Sequence, residues 1–237
     1  MQKNKKSNMG KILVVANQKG GVGKSTVTML YANYLSNTGK KVMVIDADIQ
    51  QSIFRQRRDD IGCWSEEEMK YPVEYFNITT PKETEKWMLS LKNDFNDLTT
   101  IIDMPGDIKS DGNAPVLVHA DYLICPFQYE RKVLESTTTY IKVINYLRGK
   151  FKGIMRNTMI FVPNKIDVRK NSKEQLSQQE YINGIMKNFG KLTEKIPDRV
   201  SIERMNTYNV DSKTEELVLP CFKNIDDVVF KNNFLEQ

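Results

Sequence analysis

The chain has 237 residues, 40% of them hydrophobic and 27% charged, which is the composition of a globular protein with a sizeable core. Its apolar runs are shorter than the roughly 18 residues of a membrane-spanning helix, and its polar start lacks the apolar segment of a secretory signal. Three widely spaced cysteines argue against a disulfide framework or a zinc site and favour a reducing, cytoplasmic setting. The net charge of +5 permits binding to a polyanion without identifying one.

Short apolar runs alternate with helical patterns along the chain. Such runs, rich in β-branched residues, are typical of parallel strands buried on both faces. They occupy 12–16, 42–45, 101–102, 122–125 and 159–162. The alternation predicts an α/β fold with a doubly wound, mostly parallel sheet flanked by helices. We expect residues 1–10 to be a disordered leader and 11–237 to form one domain, with a strand at 73–78 and a surface helix within 167–191.

The strongest motif is the segment NQKGGVGKST at 17–26, directly between the first strand and the first helix. Glycines let consecutive backbone N–H groups surround phosphate oxygens, and the helix N-terminus favours the same anion. We expect Lys24 to reach the β- and γ-phosphates and the Ser25 hydroxyl to bind Mg²⁺. The predicted nucleotide-binding residues of this loop are Gly20, Gly21, Val22, Gly23, Lys24, Ser25 and Thr26.

Acidic residues follow two of the predicted strands. Asp46 and Asp48 end the second strand, and Asp103 ends a later one before Pro105 and Gly106. The carboxyl ends of parallel strands face the crevice where ligands bind in such sheets. Carboxylates there can hold Mg²⁺ or orient an attacking water, although capping of the next helix is a common alternative for a single Asp.

An asparagine, Asn164, closes another strand in the segment FVPNKID. Its amide can both donate to and accept from a purine edge. The pattern Asn-Lys-x-Asp also occurs in proteins that bind guanine, so these residues alone leave adenine and guanine open.

The glycine-rich loop resembles the deviant Walker A loop of the ParA/Soj/MinD superfamily of P-loop NTPases. Gln18 stands where the common loop has its first glycine, and Lys19 precedes the glycine pair. The resemblance implies that Lys19 reaches the phosphates of the partner subunit in an ATP-dependent homodimer. It therefore assigns catalytic roles to Lys19, Lys24 and Asp48.

The resemblance extends to the later motifs. The segment DADIQ at 46–50 is similar to the family's Asp-x-Asp-Pro-Gln, with Ile49 in place of proline. This match implies that Asp48 positions the water, while Asp46 supports the Mg²⁺ that Ser25 and Asp103 also serve. Pro197 resembles the proline that lines adenine and Asn164 the base-binding asparagine, so ATP is favoured over GTP.

Within the superfamily, the sequence is most similar to the short ParA/Soj type. Residues 224–237 include acids and a single lysine, unlike the basic membrane helix of MinD proteins, and we expect no membrane binding. The resemblance implies a weak ATPase, associated with the nucleoid, that binds nonspecific DNA and partitions a chromosome, plasmid or mobile element with a ParB-like partner. A positioning or assembly ATPase for a protein cargo remains the alternative. The candidate DNA contacts named from the sequence are Lys187, Lys191, Arg199 and Arg204.

Overall fold

Seven strands pair in parallel in one sheet of the computed structural model, which describes residues 10–63, 69–107, 110–167 and 172–231. The strands are β1 (Ile12–Val15), β2 (Val42–Asp46), β3 (Val73–Tyr75), β4 (Thr99–Asp103), β5 (Tyr122–Phe127), β6 (Thr158–Pro163) and β7 (Lys191–Leu192). Their order across the sheet is β3-β2-β4-β1-β5-β6-β7. Residues 1–9 of the predicted leader lie outside the described residues, and the assignment of 11–237 to one domain stays a prediction.

Helices cover both faces of the sheet. They are α1 (Lys24–Asn37), α2 (Ser52–Ile61), α3 (Pro81–Asp94), α4 (Ala114–His119), α5 (Arg131–Lys150), α6 (Lys173–Lys187), α7 (Val200–Glu203) and α8 (Ser212–Asp226). A 3₁₀ turn (Asp111–Asn113) precedes α4, and a π-helical turn (Asp227–Lys231) follows α8. One apolar cluster joins α1, α2, α7 and α8 to the sheet, and a second joins α3, α4, α5 and α6 to its other face.

Alternating side chains of the central strands enter these two clusters. In β1, Leu13 and Val15 belong to the first cluster, whereas Ile12 and Val14 belong to the second. Because both faces of the strand are covered, the sequence reads as a continuous apolar run instead of an alternating one. The predicted fold class is therefore confirmed.

The topology places a crevice at the carboxyl end of β1. The chain leaves β1 through α1 to β2 on one side, while β5 pairs with the other side of β1. Open parallel sheets bind ligands at such a switch point. Among the described helices, none is long and apolar enough to cross a membrane.

Candidate functional site

The loop between β1 and α1 curves around the carboxyl end of β1. Gly21 and Gly23 have φ angles of 79° and 89°, a left-handed backbone conformation that glycine adopts without strain. A Cβ at Gly23 would lie 2.2 Å from the Nδ2 atom of Asn164, so close packing also requires glycine there. No described side chain caps α1, which leaves its first amides free to bind an anion.

Lys24 begins α1 and is buried, with 8% of its surface exposed. Its Nζ atom donates to the backbone oxygen of Lys19 at 3.4 Å, so the ammonium group folds back over the loop. A Cβ at Gly106 would lie 3.7 Å from that Nζ atom and 3.6 Å from the backbone nitrogen of Gly20. The chain after β4 therefore approaches the glycine loop closely from one side.

Ser25 connects the loop to the end of β4. Its hydroxyl donates to Asp103 Oδ2 at 2.6 Å and lies 3.1 Å from the hydroxyl of Ser52 at the start of α2. Thr28, one turn further along α1, donates to the other oxygen of Asp103 at 3.4 Å. Burial raises the pKa of Asp103 to about 7, and the hydrogen bond from Ser25 acts in the opposite direction. The carboxylate is therefore held in a low-dielectric position directly behind the Ser25 hydroxyl.

Asp46 lies beside Asp103, because the two residues are register partners in β2 and β4. It is buried, and its Oδ2 atom accepts from the backbone N–H groups of Ile53 and Phe54 at 2.9 and 3.0 Å. Its Oδ1 atom accepts from the backbone N–H of Asp48 at 3.1 Å. Burial raises the pKa of Asp46, and these backbone hydrogen bonds lower it. Through these hydrogen bonds, Asp46 connects the turn that carries Asp48 to the first turn of α2.

Asp48 is half-buried at the mouth of the crevice. Its Oδ1 atom accepts from the backbone N–H of Gln50 at 2.9 Å. The turn closes at Gln51, whose φ angle is 53°. The carboxylate of Asp48 is thus oriented by its own turn, and it is more accessible than that of Asp46 or Asp103.

Asn164 reaches the glycine loop from the end of β6. It is buried, and its Nδ2 atom donates to the backbone oxygen of Val22 at 2.8 Å. Its Oδ1 atom is buried without a hydrogen-bond partner among the described groups. Pro197 lies alongside, since it bridges to Ile166 two residues after Asn164. The structure therefore joins Asn164 to the loop, places Pro197 on the segment that runs beside 163–166, and leaves the Oδ1 atom of Asn164 unsatisfied.

Sequence reasoning missed several residues of this site. Thr28 and Ser52 contact Asp103 and Ser25, and Asn17 donates to the oxygen of Pro126 and to Thr137 at 2.8 and 3.0 Å. Thr28 follows Ser25 by three positions on one helix, a spacing that places both on the same face and could have indicated it. Asn17 is the first polar residue after the apolar run 12–16, which was a second available signal. The contact of Ser52 depends on tertiary structure.

The described residues fit a magnesium ion that receives most of its ligands from elsewhere. Ser25 and Asp103 supply a hydroxyl and a carboxylate in direct contact, which are oxygen donors of the kind that Mg²⁺ prefers. Within the described ranges, no group of three or more His, Cys, Asp or Glu side chains could hold a metal. Mg²⁺ characteristically binds through one or two protein groups together with substrate phosphates and water.

Comparison with known proteins agrees with this arrangement. Residues 13–210 match the model of the CobQ/CobB/MinD/ParA nucleotide binding domain. The chain belongs to this family. The resemblance identified from the sequence motifs, to the ParA/Soj/MinD group, is therefore confirmed.

Curated relatives match this chain over short segments. The chromosome-partitioning ATPase Soj of Treponema pallidum is 52% identical over 42 residues, which are 18% of this chain and 17% of that protein. An iron-sulfur cluster carrier protein of Methanocaldococcus jannaschii is 41% identical over 78 residues, 32% of this chain and 26% of that protein. The matched segments thus span well under two thirds of these relatives.

Solved structures resemble this chain over nearly its whole length. A plasmid partition protein of Borrelia burgdorferi bound to AMPPNP has a TM-score of 0.68 at 18% identity, covering 95% of this chain and 100% of its own. The MinC:MinD cell division protein complex of Aquifex aeolicus gives a TM-score of 0.69 at 18% identity, with 96% and 99% covered. At these identities the likeness establishes the fold.

Proposed function

We propose that this protein is a Mg²⁺-dependent ATP switch that hydrolyses ATP weakly and partitions a chromosome, plasmid or mobile element. The observation that carries the proposal is the Ser25–Asp103 hydrogen bond, formed between the helix after the glycine loop and the strand beside it. That pair is a suitable magnesium site next to a loop of free backbone amides. When bound, Mg²⁺ would neutralise charge on the phosphates.

Each site residue then has a role that follows from its surroundings. The amides of 20–26 and the Lys24 ammonium bind phosphate oxygens, and Ser25 with Asp103 holds the metal. Asp46 holds the turn 47–51 against α2, and through that turn it supports the metal site indirectly. Asp48, the most accessible of the three acids, orients the attacking water.

The base is proposed to be adenine. The Nδ2 atom of Asn164 already donates to Val22, which leaves the unpaired Oδ1 atom as an acceptor. Adenine offers an exocyclic amino donor, whereas guanine offers an acceptor at the corresponding position. The bound AMPPNP of the Borrelia structure supports the same choice, and Pro197 lines the neighbouring wall.

We further propose that ATP drives formation of a homodimer and that Lys19 contacts the phosphates of the partner subunit. The glycine loop supports this role, because Gly20 and Gly21 are exposed at the outer surface of the site. Two apposed triphosphates repel each other, and a cation supplied in trans offsets that repulsion. The dimer is proposed to bind nonspecific DNA, to associate with the nucleoid in this way, and to respond to a ParB-like partner.

A positioning or assembly ATPase for a protein cargo is the second candidate. A specific observation favours keeping it, since the cell division protein MinD and the plasmid partition protein resemble this fold equally well, at TM-scores of 0.69 and 0.68. Both candidates share the nucleotide site, and only the partner of the ATP-bound dimer differs.

Light scattering and DNA gel shifts, run with ATP, ADP and no nucleotide, test the proposal. Partition predicts a mass near twice that of the monomer and a shift of random-sequence duplex, both only with ATP. Dimerisation without any DNA shift at low salt would favour the cargo candidate. A monomer that neither dimerises nor hydrolyses ATP would refute both.

A further inference from the structure

One short segment in the middle of the chain is purely basic among its charged residues. Residues 142–156 contain five basic residues and no acidic residue. The five are Lys142, Arg148, Lys150, Lys152 and Arg156.

Four of these cations lie on the surface, from the middle of α5 to the turn that follows it. Lys142 and Lys150 are exposed and flank Tyr146, which is 66% exposed, at four-residue intervals on one helix face. Lys152 and Arg156 are exposed in the following turn, where Gly153 adopts a φ angle of 93°. We name Lys142, Lys150, Lys152 and Arg156 the α5 basic patch.

Arg148 has a different, structural role. It is half-buried, and its guanidinium donates to the backbone oxygen of Asn157 at 2.9 Å. Burial lowers the pKa of its guanidinium from the usual value. This contact ties the end of α5 to the start of β6 and fixes the turn that carries the patch.

The patch cations have no acidic partner in the part of the chain that the structure describes. None of the ion pairs found there includes a patch residue, whereas Lys41 pairs with Asp97 and Lys165 with Glu203. Asp121, at the same end of the sheet, accepts a hydrogen bond from the backbone N–H of Ile12. The four charges are therefore available to an external anion.

The cations named from the sequence as DNA contacts are less suitable. Lys187 and Lys191 line a groove together with Glu194 and Asp227. Arg199 and Arg204 are each next in sequence to an acid, Asp198 and Glu203. Neighbouring acids repel phosphate and reduce the attraction.

Lys150, Lys152 and Arg156 lie at the amino end of β6, away from the nucleotide site, and Lys142 lies in the middle of α5. The helix α5 starts after the carboxyl end of β5 and returns to the amino end of β6 over 20 residues. A helix of that length extends about 30 Å. A partner on the patch would thus leave the glycine loop accessible.

We propose that the α5 basic patch is a docking surface for the phosphate backbone of duplex DNA. Lys142 and Lys150 are about 12 Å apart along the helix, a span that covers several phosphates of one strand. An anionic membrane fits less well, because the inner face of α5 is packed in the core and only Tyr146 and Ile154 offer exposed apolar surface here. The choice of DNA rests on the proposed function, whereas the position of the surface rests on charge and geometry.

The test compares two triple variants of the full chain. The patch variant is Lys142→Gln, Lys150→Gln and Lys152→Gln, and the matched control is Lys187→Gln, Lys191→Gln and Lys213→Gln, all at exposed lysines. Fluorescence anisotropy with a labelled 60-bp random duplex is measured with Mg-ATP from 50 to 200 mM KCl. Basal ATP hydrolysis and thermal melting, which neither variant should change, establish that both are folded.

Loss of three phosphate contacts should reduce the slope of log affinity against log salt by about 2.7. Wild-type affinity should then fall roughly 40-fold more than that of the patch variant across this salt range. At 50 mM the patch variant should bind at least about 40-fold more weakly than the wild type, and the control should stay within about threefold.

The outcomes separate this inference from the proposed function. If the wild type and the patch variant bind DNA equally, the assignment of the surface is wrong, whereas DNA binding by the protein is supported. If the wild type fails to bind DNA at 50 mM KCl, the DNA part of the proposed function is wrong and this inference with it. Patch-dependent binding to vesicles with 30% phosphatidylserine, without DNA binding, would assign the surface to a membrane and overturn the proposal.

Discussion

Three carboxylates within one crevice have different surroundings at the scale of single residues. Asp103 is fully buried behind Ser25, and Asp46 is saturated by three backbone N–H groups. Asp48 accepts one described hydrogen bond, from Gln50, and remains half-exposed. Only Asp48 therefore combines an accessible oxygen with an orientation fixed by its own turn, which is what alignment of a water molecule requires.

Replacing Asp48 should separate binding from turnover. We expect Asp48→Ala to bind ATP within about threefold of the wild type and to lose at least about 100-fold in hydrolysis, because water positioning acts mainly on the chemical step. Phosphate release and fluorescent ATP binding measure the two effects. Asp94→Ala, at an exposed acid on α3, is the control. Hydrolysis at the wild-type rate in Asp48→Ala would show that this assignment is incorrect.

Lys19 should matter for assembly more than for binding. Its backbone oxygen supports Lys24, a contact that a substitution of its side chain preserves. We therefore expect Lys19→Gln to bind ATP within about threefold and to remain monomeric, since a charge-assisted phosphate contact in trans is lost. Light scattering with ATP measures the mass, and Lys86→Gln, exposed on α3, is the control. A normal ATP-dependent dimer in Lys19→Gln would contradict the role in trans.

The sequence predicted the identity of site residues that lie in short motifs or at strand ends, whereas it did not predict the contacts that those residues make. Lys24 and Ser25 follow from one ten-residue segment, and the order of strands and helices fixes where it lies. The contact of Asn164 with Val22 joins residues 142 positions apart, and nothing local encodes its distance or its donor. The hydrogen bonds from Ile53 and Phe54 to Asp46 likewise require α2 to be in place, so the sequence alone did not predict them.

At the scale of elements, α2 is held at both of its ends. Asp46 accepts from its first turn, and a buried network holds its last turn. There Asp60 accepts from the backbone N–H and the hydroxyl of Thr207, both at 2.7 Å. Arg57 donates to the oxygen of Thr207 and stacks between two tyrosine rings, 4.8 Å from Tyr71 and 4.9 Å from Tyr208. The turn that carries Asp48 therefore leads into a helix whose two ends are both fixed.

Breaking this network should destabilise the whole protein. Asp60→Ala removes two buried hydrogen bonds to a carboxylate and leaves the N–H of Thr207 without its acceptor, which costs roughly 2–3 kcal/mol. For a chain of this size the melting temperature should fall by about 5–10 °C. Thermal unfolding of Asp59→Ala, the exposed neighbour on the same helix, is the control and should change by less than about 2 °C. Equal melting of the two variants would refute a stabilising role for the network.

At the scale of the molecule, the parallel sheet separates two kinds of surface. The carboxyl ends of the strands hold the glycine loop, the three acids and Asn164, while the amino ends lie beside the α5 basic patch. The nucleotide site and the proposed DNA surface are therefore associated with opposite ends of the strands of one sheet. A ligand that binds the folded state and not the unfolded chain adds to the stability of the folded state.

This linkage provides a test of the base preference. At 100 times its dissociation constant, a ligand stabilises the folded state by about 2.7 kcal/mol, so Mg-ATP should raise the melting temperature by about 5–10 °C. GTP at the same concentration should raise it by less than half as much, since the free oxygen of Asn164 faces an acceptor on guanine. Thermal shift assays with ATP, GTP and no nucleotide measure the difference.

Two variants assign that preference to Asn164. Asn164→Ala removes the acceptor, so the ATP and GTP shifts should become equal within about 1 °C. Asn188→Ala, at an exposed asparagine after α6, should retain the wild-type difference. If the wild type is stabilised as strongly by GTP as by ATP, the hydrogen-bond argument for adenine fails, and the Asn-Lys-x-Asp pattern at 164–167 must be interpreted as guanine-binding. If Asn164→Ala retains the preference for ATP, the base is instead recognised by residues near Pro197.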